Sequence, residues 1–281
     1  MEQQREVISR SYPSGVPCWV DTHQPDVPAA MDFYGGLFGW EFADVAPPGS
    51  AGRYVIATLD GKEAGAIAGP GTGVPAWNTY VAVDDADDAA RHLLSVGAIL
   101  KSAPADAGSG GVQAVLADPE GAEFRIWQAR ARLGAQAVNL PGGWNFSDLH
   151  TTNMDAAAAF YTRAFDWHFE TLDFGTMICR PGYGDHLEAT IDPGIRVRQS
   201  GDAVPRGFEE AVAWLVPAAP GERPRWHVTF TVADRDRAAK DAERLGAHIL
   251  RQDDTAWTRT VLIRDPGGAV FTASQFTPPS G

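Results

Sequence analysis

The chain has 281 residues, 44% hydrophobic and 21% charged, with 36 acidic against 23 basic side chains and a formal charge of −13. That length suits about two domains of ~100–200 residues each, or one large barrel, and so acidic a surface repels both a phosphate backbone and an anionic membrane, so neither partner is expected. There is no run of 18 uncharged apolar residues, and the opening MEQQREVISRSYPSG has no apolar core, so a cytoplasmic location is the expectation.

In chain order, a flexible tail over 1–14 is expected first. An alternating strand at 19–23 then leads into a helix on which Ala30, Phe33, Tyr34, Leu37 and Phe38 fall at spacings of three and four, with Asp26 as N-cap. Strands at 54–59 and 64–68 follow around an Asp-Gly turn, and a Pro-Gly stretch at 69–75 closes the segment. A second unit opens with a strand at 78–83, has Asp84 or Asp85 at its helix cap, and ends with strands at 112–117 and 124–128 around Asp-Pro-Glu-Gly. Residues 131–142 read as a linker. The strand at 146–150, a helix capped by Asn153, the strand GTMICR at 175–180 and a last strand near 212–217 make the third unit, and the strand at 227–232 with Asp234 as cap begins the fourth. Cys18 and Cys179 have no metal or redox spacing and read as buried thiols.

The chain is doubled. Trp19, Asp21, His23, Phe33, Tyr34, Phe38 and Trp40 return as Phe146, Asp148, His150, Phe160, Tyr161, Phe165 and Trp167, each 127 residues on. The segment at 75–98 matches 224–247 at an offset of 149, and 117–128 matches 264–275 at 147. The change of offset places about twenty extra residues in the first half of the second copy, an insertion over 182–210. It reads either as a surface elaboration or as a lid over a cavity.

Four strand, helix, three-strand units, the FY-x-x-x-FGW helix end, the VAVDD strand end and DPxGAxF before the last strand resemble a tandem member of the vicinal oxygen chelate (VOC) superfamily. That superfamily includes glyoxalase I, extradiol dioxygenases, fosfomycin-resistance enzymes and bleomycin-binding proteins. The likeness spans residues 15–276 and is to two-domain bacterial members labelled hydroxylases or glyoxalase/bleomycin-resistance proteins. It implies an α+β fold of four βαβββ modules forming two VOC domains, 15–130 and 143–276, with open, curved mixed sheets. It also implies a divalent metal held by His, Gln or Glu at the first and last strands of a module. The matching positions here carry Trp19, Asn78, Phe146 and His227, with Arg125 and Thr272 in the last strands. Of these His227 alone is a competent ligand, so no cofactor is expected, and a divalent metal would need relocated ligands.

Residues two apart on a strand share a face, so Asp21 and His23, and Asp148 and His150, join the lost ligand positions. If modules 3 and 4 form one cup, His227 faces Asp148 and His150, a set suited to general acid–base catalysis. A carboxylate capping backbone and an ordinary strand histidine remain the bland alternative. If modules 1 and 4 pair instead, Asp21 and His23 face His227. Asp21, His23, Asn78 and Arg125 read as a first cup turned structural, with an Asp21–Arg125 ion pair. Phe146, Met177, Tyr183, Trp214, Thr229, Thr272 and Phe276 are the candidate substrate-binding surface, with aromatic and apolar side chains suited to a flat hydrophobic ligand; His186 and Glu188 in the insertion read as a solvated loop or as lid groups. The expected function is acid–base chemistry on a hydrophobic, oxygen-bearing small molecule such as an aromatic or polyketide-like metabolite, as a lyase, isomerase, cyclase or hydroxylase-like enzyme. The alternatives are a metal-free sequestering protein of the bleomycin-resistance type and a metal-dependent dioxygenase or glyoxalase with relocated ligands.

Overall fold

The computed structural model describes residues 9–47, 49–201 and 204–278. The first module runs β1 (Pro17–His23), α1 (Val27–Phe38), β2 (Glu41–Asp44), β3 (Arg53–Leu59) and β4 (Lys62–Gly69), and the second β5 (Trp77–Ala82), α2 (Ala86–Ser95), β6 (Ile99–Asp106), β7 (Gly111–Ala117) and β8 (Glu123–Ala129). The third comprises β9 (Trp144–Thr151), α3 (Met154–Phe165), β10 (His168–Leu172), β11 (Gly175–Cys179), the insertion helices α4 (Tyr183–Ala189) and α5 (Ile195–Arg198), and β12 (Ala211–Pro217). The fourth is β13 (Arg225–Thr231), α6 (Arg235–Arg244), β14 (His248–Asp254), β15 (Thr258–Arg264) and β16 (Val270–Phe276).

The four long helices start where the sequence supplies a cap. Asp26, Asp85, Asn153 and Asp234 each sit in extended backbone and accept from the backbone N–H three residues on, at 2.8–3.1 Å. Helix α1 ends at Gly39 with φ 73°, and the residue 127 further on, Asp166, ends α3 in the same left-handed conformation at φ 58°. Aspartate tolerates that region better than most side chains, which lets the second copy dispense with glycine there.

The strands form two eight-stranded mixed sheets, β2-β3-β4-β1-β5-β8-β7-β6 and β10-β11-β12-β9-β13-β16-β15-β14, one from each copy of the repeat. Strand β1 pairs in parallel with β4 in the first sheet, and β13 in parallel with β16 in the second. Packing divides the chain differently. One compact unit takes in residues up to Cys18, Val81–Gly134 and Thr151–Pro224; the other takes Trp19–Tyr80, Ala135–His150 and the chain from Arg225 onward. The open question of module pairing therefore has two answers: modules 1 with 2 and 3 with 4 by sheet, 1 with 4 and 2 with 3 by packing.

The repeated motif residues hold each unit together. In the unit containing modules 1 and 4, Tyr34, Phe38, Trp40, Trp77, Phe230 and Phe271 pack with ring centroids 4.9–6.3 Å apart. The buried Tyr34 hydroxyl donates to Asp265 Oδ2 at 2.7 Å and accepts from Trp77 Nε1 at 3.0 Å. Asp265 also accepts from Gln24 Nε2 and from the backbone N–H groups of Gly268 and Ala269, each at 2.7 Å. Trp40 Nε1 donates to the carbonyl of Gly142 at 2.8 Å. In the other unit Tyr161 donates to Asp118 at 3.2 Å and Trp167 Nε1 to the carbonyl of Gly15 at 2.7 Å. In both units the tyrosine of the helix motif thus meets the aspartate of an Asp-Pro turn, and the tryptophan a glycine carbonyl. Buried polar groups require such partners, and the motif supplies them.

Two expectations need correction. The segment 9–14 is tied down rather than a free tail: Arg10 Nη1 donates to the Tyr183 hydroxyl at 3.3 Å, the Ser11 carbonyl is 3.1 Å from His186 Nε2, and Arg180 Nε donates to the Ser14 carbonyl at 3.2 Å. The rest of the expected tail, 1–8, lies outside the described residues. The segment 131–142 is no loose linker either, because Ala135 and Ala137 are fully buried and the N–H groups of Gln136 and Ala137 both donate to the Glu63 carbonyl.

Candidate functional site

Burial alternates with a period of two along β9 from Phe146, and along β13 except at the buried His227, which separates a helix-covered face from an open one. Ser147, Leu149, Thr151, Val228 and Phe230 are buried on the helix side, whereas Phe146, Asp148, His150 and Thr229 are half-exposed. The antiparallel register sets His227 opposite Asp148, Thr229 opposite Phe146 and Arg225 opposite His150. Directly opposed residues on one face have Cβ atoms about 5 Å apart, within reach of one another's side chains. The parallel pairing of β13 with β16 adds Thr272 beside Thr229. His227, 5% exposed, has Nε2 2.8 Å from the Thr272 hydroxyl, and its ring centroid is 5.5 Å from that of His150. Sheet pairing thus brings His227, Asp148, His150, Phe146, Thr229 and Thr272 onto one face, all within the unit that joins modules 1 and 4 with β9 of module 3 up to His150. Phe276, at the end of β16, is 63% exposed and stacks on Trp257 at 6.1 Å.

The remaining predicted residues belong to the other unit. Met177, fully buried, is paired with Trp214, whose ring lies 5.8 Å from Phe174 and 6.4 Å from Phe208. Tyr183 is buried against the N-terminal segment, and burial pushes its phenol above the usual range. His186 is held by Ser11, and Glu188 by Arg196, which also meets Asp185 and Glu209. The insertion residues singled out as lid groups are engaged with the N-terminal segment and with one another.

The first copy places a contrasting arrangement at the same positions. Asp21, fully buried, accepts from the Tyr80 hydroxyl at 2.5 Å, Asn78 Nδ2 at 2.7 Å and the Tyr54 hydroxyl at 3.2 Å. Trp19 Nε1 donates to Tyr54 in turn at 3.1 Å. Three donors on one buried carboxylate make a closed, satisfied cluster. His23, at the end of β1, is exposed, and Arg125 on β8 belongs to the other unit. The repeat offsets and strand registers give the counterparts in the second copy: Phe146 for Trp19, His227 for Asn78, Thr229 for Tyr80 and Gly175 for Tyr54. Both phenols and the amide are gone, and the carboxylate of Asp148 stands across from an imidazole. Sequence reading named Asp21, Asn78, Asp148, Phe146, His227 and Thr229, yet it missed Tyr54 and Tyr80, whose bulky side chains at strand positions of the first copy were the available signal. It also missed Arg225.

The inherited positions do not supply the ligand set with which the VOC fold holds a divalent ion. Of the inherited positions, Trp19 and Asn78 are engaged around Asp21, Phe146 has no donor, and Thr272 meets His227. Among the described residues no three His, Cys, Asp or Glu side chains come together in a metal-holding group.

A family model described as a glyoxalase-like domain matches residues 19–127 and again 146–274. The chain belongs to the glyoxalase-like family. Its tandem copies have the α+β VOC fold expected from the repeat. Among glyoxalase-like relatives, the anthracycline biosynthesis protein DnrV of Streptomyces peucetius is 34% identical over 274 residues, 92% of each chain. CFP32 of Mycobacterium tuberculosis, provisionally assigned as a glyoxylase, is 33% identical over 274 residues, 95% of this chain and 97% of its own. The Mn(II)-bound glyoxalase from Novosphingobium aromaticivorans superposes with a TM-score of 0.59 at 15% identity, covering 96% of this chain and 85% of that one. The 2,3-dioxygenase LapB from Pseudomonas sp. KL28 gives 0.61 at 11%, covering 96% of each. Likeness at such low identity speaks to fold alone. No helix among the described residues is long and apolar enough to cross a membrane.

Proposed function

We propose that the open face of the second copy carries acid–base chemistry on a hydrophobic, oxygen-bearing small molecule of aromatic or polyketide type, without the metal usual in the fold. The observation that carries this reading is the exchange at one repeated position. Asp21 is enclosed by Tyr80, Tyr54 and Asn78, whereas its counterpart Asp148 is half-exposed opposite His227. His227 takes or delivers the proton, held through Nε2 by Thr272, and Asp148 across the strand stabilises the imidazolium. His150, 5.5 Å from His227, is the second proton-carrying group. Phe146 and Thr229 line the same face beside them. The chemistry this supports is proton transfer at carbon or oxygen, as in isomerisation, cyclisation, elimination or hydration. A relative named for anthracycline biosynthesis supports a substrate of fused aromatic rings. In the first copy the same face serves the fold.

The test is turnover of a panel of polycyclic aromatic ketones and phenols by the native protein and by His227→Ala and Asp148→Asn. Loss of turnover with retained ligand binding is expected of both variants, general acid–base groups typically contributing ~10²–10⁴-fold. Turnover unchanged in His227→Ala refutes the assignment, as does one equivalent of metal per chain by elemental analysis of native protein. Saturable binding with no turnover of any compound favours sequestration.

A further inference from the structure

Arg225 is the residue on this face that the proposed acid–base chemistry leaves unused. It opens β13 directly opposite His150, one cross-strand pair from His227 and Asp148 and two from Thr229 and Phe146. Successive same-face positions are about 7 Å apart, so Arg225, His227 and Thr229 form a row roughly 13 Å long. One end of that row carries a guanidinium and two imidazoles around a single carboxylate; the other carries a phenyl ring and a hydroxyl. The guanidinium offsets the carboxylate there, so this end lacks the negative charge that the chain, at −13, carries on average. The repeat shows that it is specific to one copy. The counterpart of Arg225 at the offset of 149 is Ala76, and the counterpart of His150 is the exposed His23. The guanidinium therefore occurs in the copy whose carboxylate is half-exposed and is missing where it is enclosed by tyrosines.

We infer that Arg225 is a specificity-determining residue that binds an anionic oxygen substituent of the ligand, a carboxylate or an ionised phenol or enol. The inference rests on the open face of the second copy being the ligand site. A guanidinium presents its N–H donors as a planar fork matched to two oxygens, so it fixes orientation as well as position. With the anionic group at Arg225, the ring system lies along β13 toward Phe146 and Thr229, which places the ligand's middle against His227 and Asp148. The favoured substrate class is a ring-bearing acid rather than a neutral ketone of the same size.

Two fluorescent probes with the same aromatic body test this: 8-anilinonaphthalene-1-sulfonate, which carries an anionic group, and N-phenyl-1-naphthylamine, which lacks it. The native protein is expected to bind the anionic probe about tenfold more tightly, a preference that shrinks as salt is raised. Arg225→Gln should remove the preference while leaving the neutral probe's affinity within about twofold, and Arg225→Lys should keep part of it. Thr229→Tyr, which restores the bulky residue of the first copy, should weaken both probes together. Equal affinities in the native protein, or a preference unchanged in Arg225→Gln, overturn the assignment to Arg225 and leave the acid–base site standing. Failure of both probes to bind, or Thr229→Tyr binding both as the native protein does, overturns the site itself and this inference with it. Circular dichroism of each variant separates loss of the contact from loss of the fold.

Discussion

Replacing Tyr34 by Phe removes one oxygen from a fully buried ring and tests how the chain divides into stable bodies. The hydroxyl donates to the Asp265 carboxylate at 2.7 Å, and hydrogen bonds to charged groups contribute about 1.5–3 kcal/mol net. It is also the acceptor for Trp77 Nε1 at 3.0 Å, and a buried donor left without its acceptor costs a further ~1 kcal/mol or more. The ring keeps its packing against Phe38, Trp40 and Phe271, so no cavity term is added. The sum is about 3 kcal/mol, or on the order of a hundredfold in the equilibrium between closed and open forms. Hydrogen exchange read by mass spectrometry locates that loss. Protection is expected to fall together in α1 and β5 and in the 225–276 segment, although these are far apart in sequence, because they share one packed unit. Segments 111–129 and 154–167, which belong to the other unit, should exchange as in the native protein. Loss of protection throughout 17–129 with 225–276 unaffected would mean that each sheet is its own stable body, and the packing argument would be wrong.

The thiols give an independent readout of the other unit, since Cys18 and Cys179 both lie in it. Burial pushes Cys179 up to about 11, with Glu170, Glu210 and Glu209 adding to the rise, and burial raises Cys18 further. At pH 8 Cys179 is thiolate to roughly one part in a thousand, so disulfide-exchange reagents should label neither cysteine before the unit opens, and Tyr34→Phe should leave that labelling rate unchanged. Asp118 has its carboxyl pKa raised, by burial first, against the backbone donors of Ala122 and Glu120 and the hydroxyl of Tyr161. A folded pKa above the unfolded one favours the fold fully below the unfolded value, and that contribution is lost as pH rises through the folded value. Urea titrations should therefore show the native protein losing stability relative to Asp118→Asn as pH rises through and above the carboxylate range; a gap that stays flat with pH refutes the assignment. Deleting residues up to Ser14 removes the partners of Tyr183, His186 and Arg180, so limited proteolysis should cut within 182–210 several-fold faster, and an unchanged rate would show that the insertion holds itself.

The fold was legible because four local signals agree at each module. A side-chain cap opens each helix, hydrophobic spacing of three and four follows it, turn residues close the strands, and the whole pattern recurs at fixed offsets. Module pairing was not legible. The residues that decide it, Tyr34 with Asp265 and Tyr161 with Asp118, lie 231 and 43 positions apart, and neither spacing has a local signature. The candidate site was legible in part: strand alternation put Asp148 and His150 on the face of the inherited ligand position, and register then set His227 against them. Arg225 escaped notice because it stands at the strand entrance, beside a Pro-Gly break where arginine reads as solvated. Tyr54 and Tyr80 escaped because tyrosine in a half-buried strand is unremarkable until the carboxylate it meets is known.

Comparison between the copies separates fold from function more sharply than either copy alone. Residues identical at the repeat offset, such as Phe33 and Phe160, Tyr34 and Tyr161, or Trp40 and Trp167, pack the two units, and the tyrosines and tryptophans also bridge them to Asp-Pro turns and glycine carbonyls. A substitution at any of these removes a buried contact in one unit and tells nothing about chemistry. The chemical differences lie where the copies disagree while the backbone does not. Asn78 becomes His227, Tyr80 becomes Thr229, Ala76 becomes Arg225 and Tyr54 becomes Gly175, all at matched strand positions. Three of the four exchanges fall on the single strand β13, and two of the four, one on β13 and one on β11, replace a hydrogen-bonding phenol by a small residue. Each removes a group that encloses Asp21 in the first copy or adds a basic group near Asp148 in the second. Random drift on a surface strand would scatter changes of charge over both faces. Here Trp77 and Trp226, next to the exchanged positions but on the covered face, are the same residue in both copies. The covered face stays uncharged, with Thr79 becoming Val228 and Val81 becoming Phe230, while the open face exchanges a phenol and an amide for a hydroxyl, an imidazole and a guanidinium, which is the change that the proposed anionic aromatic ligand requires.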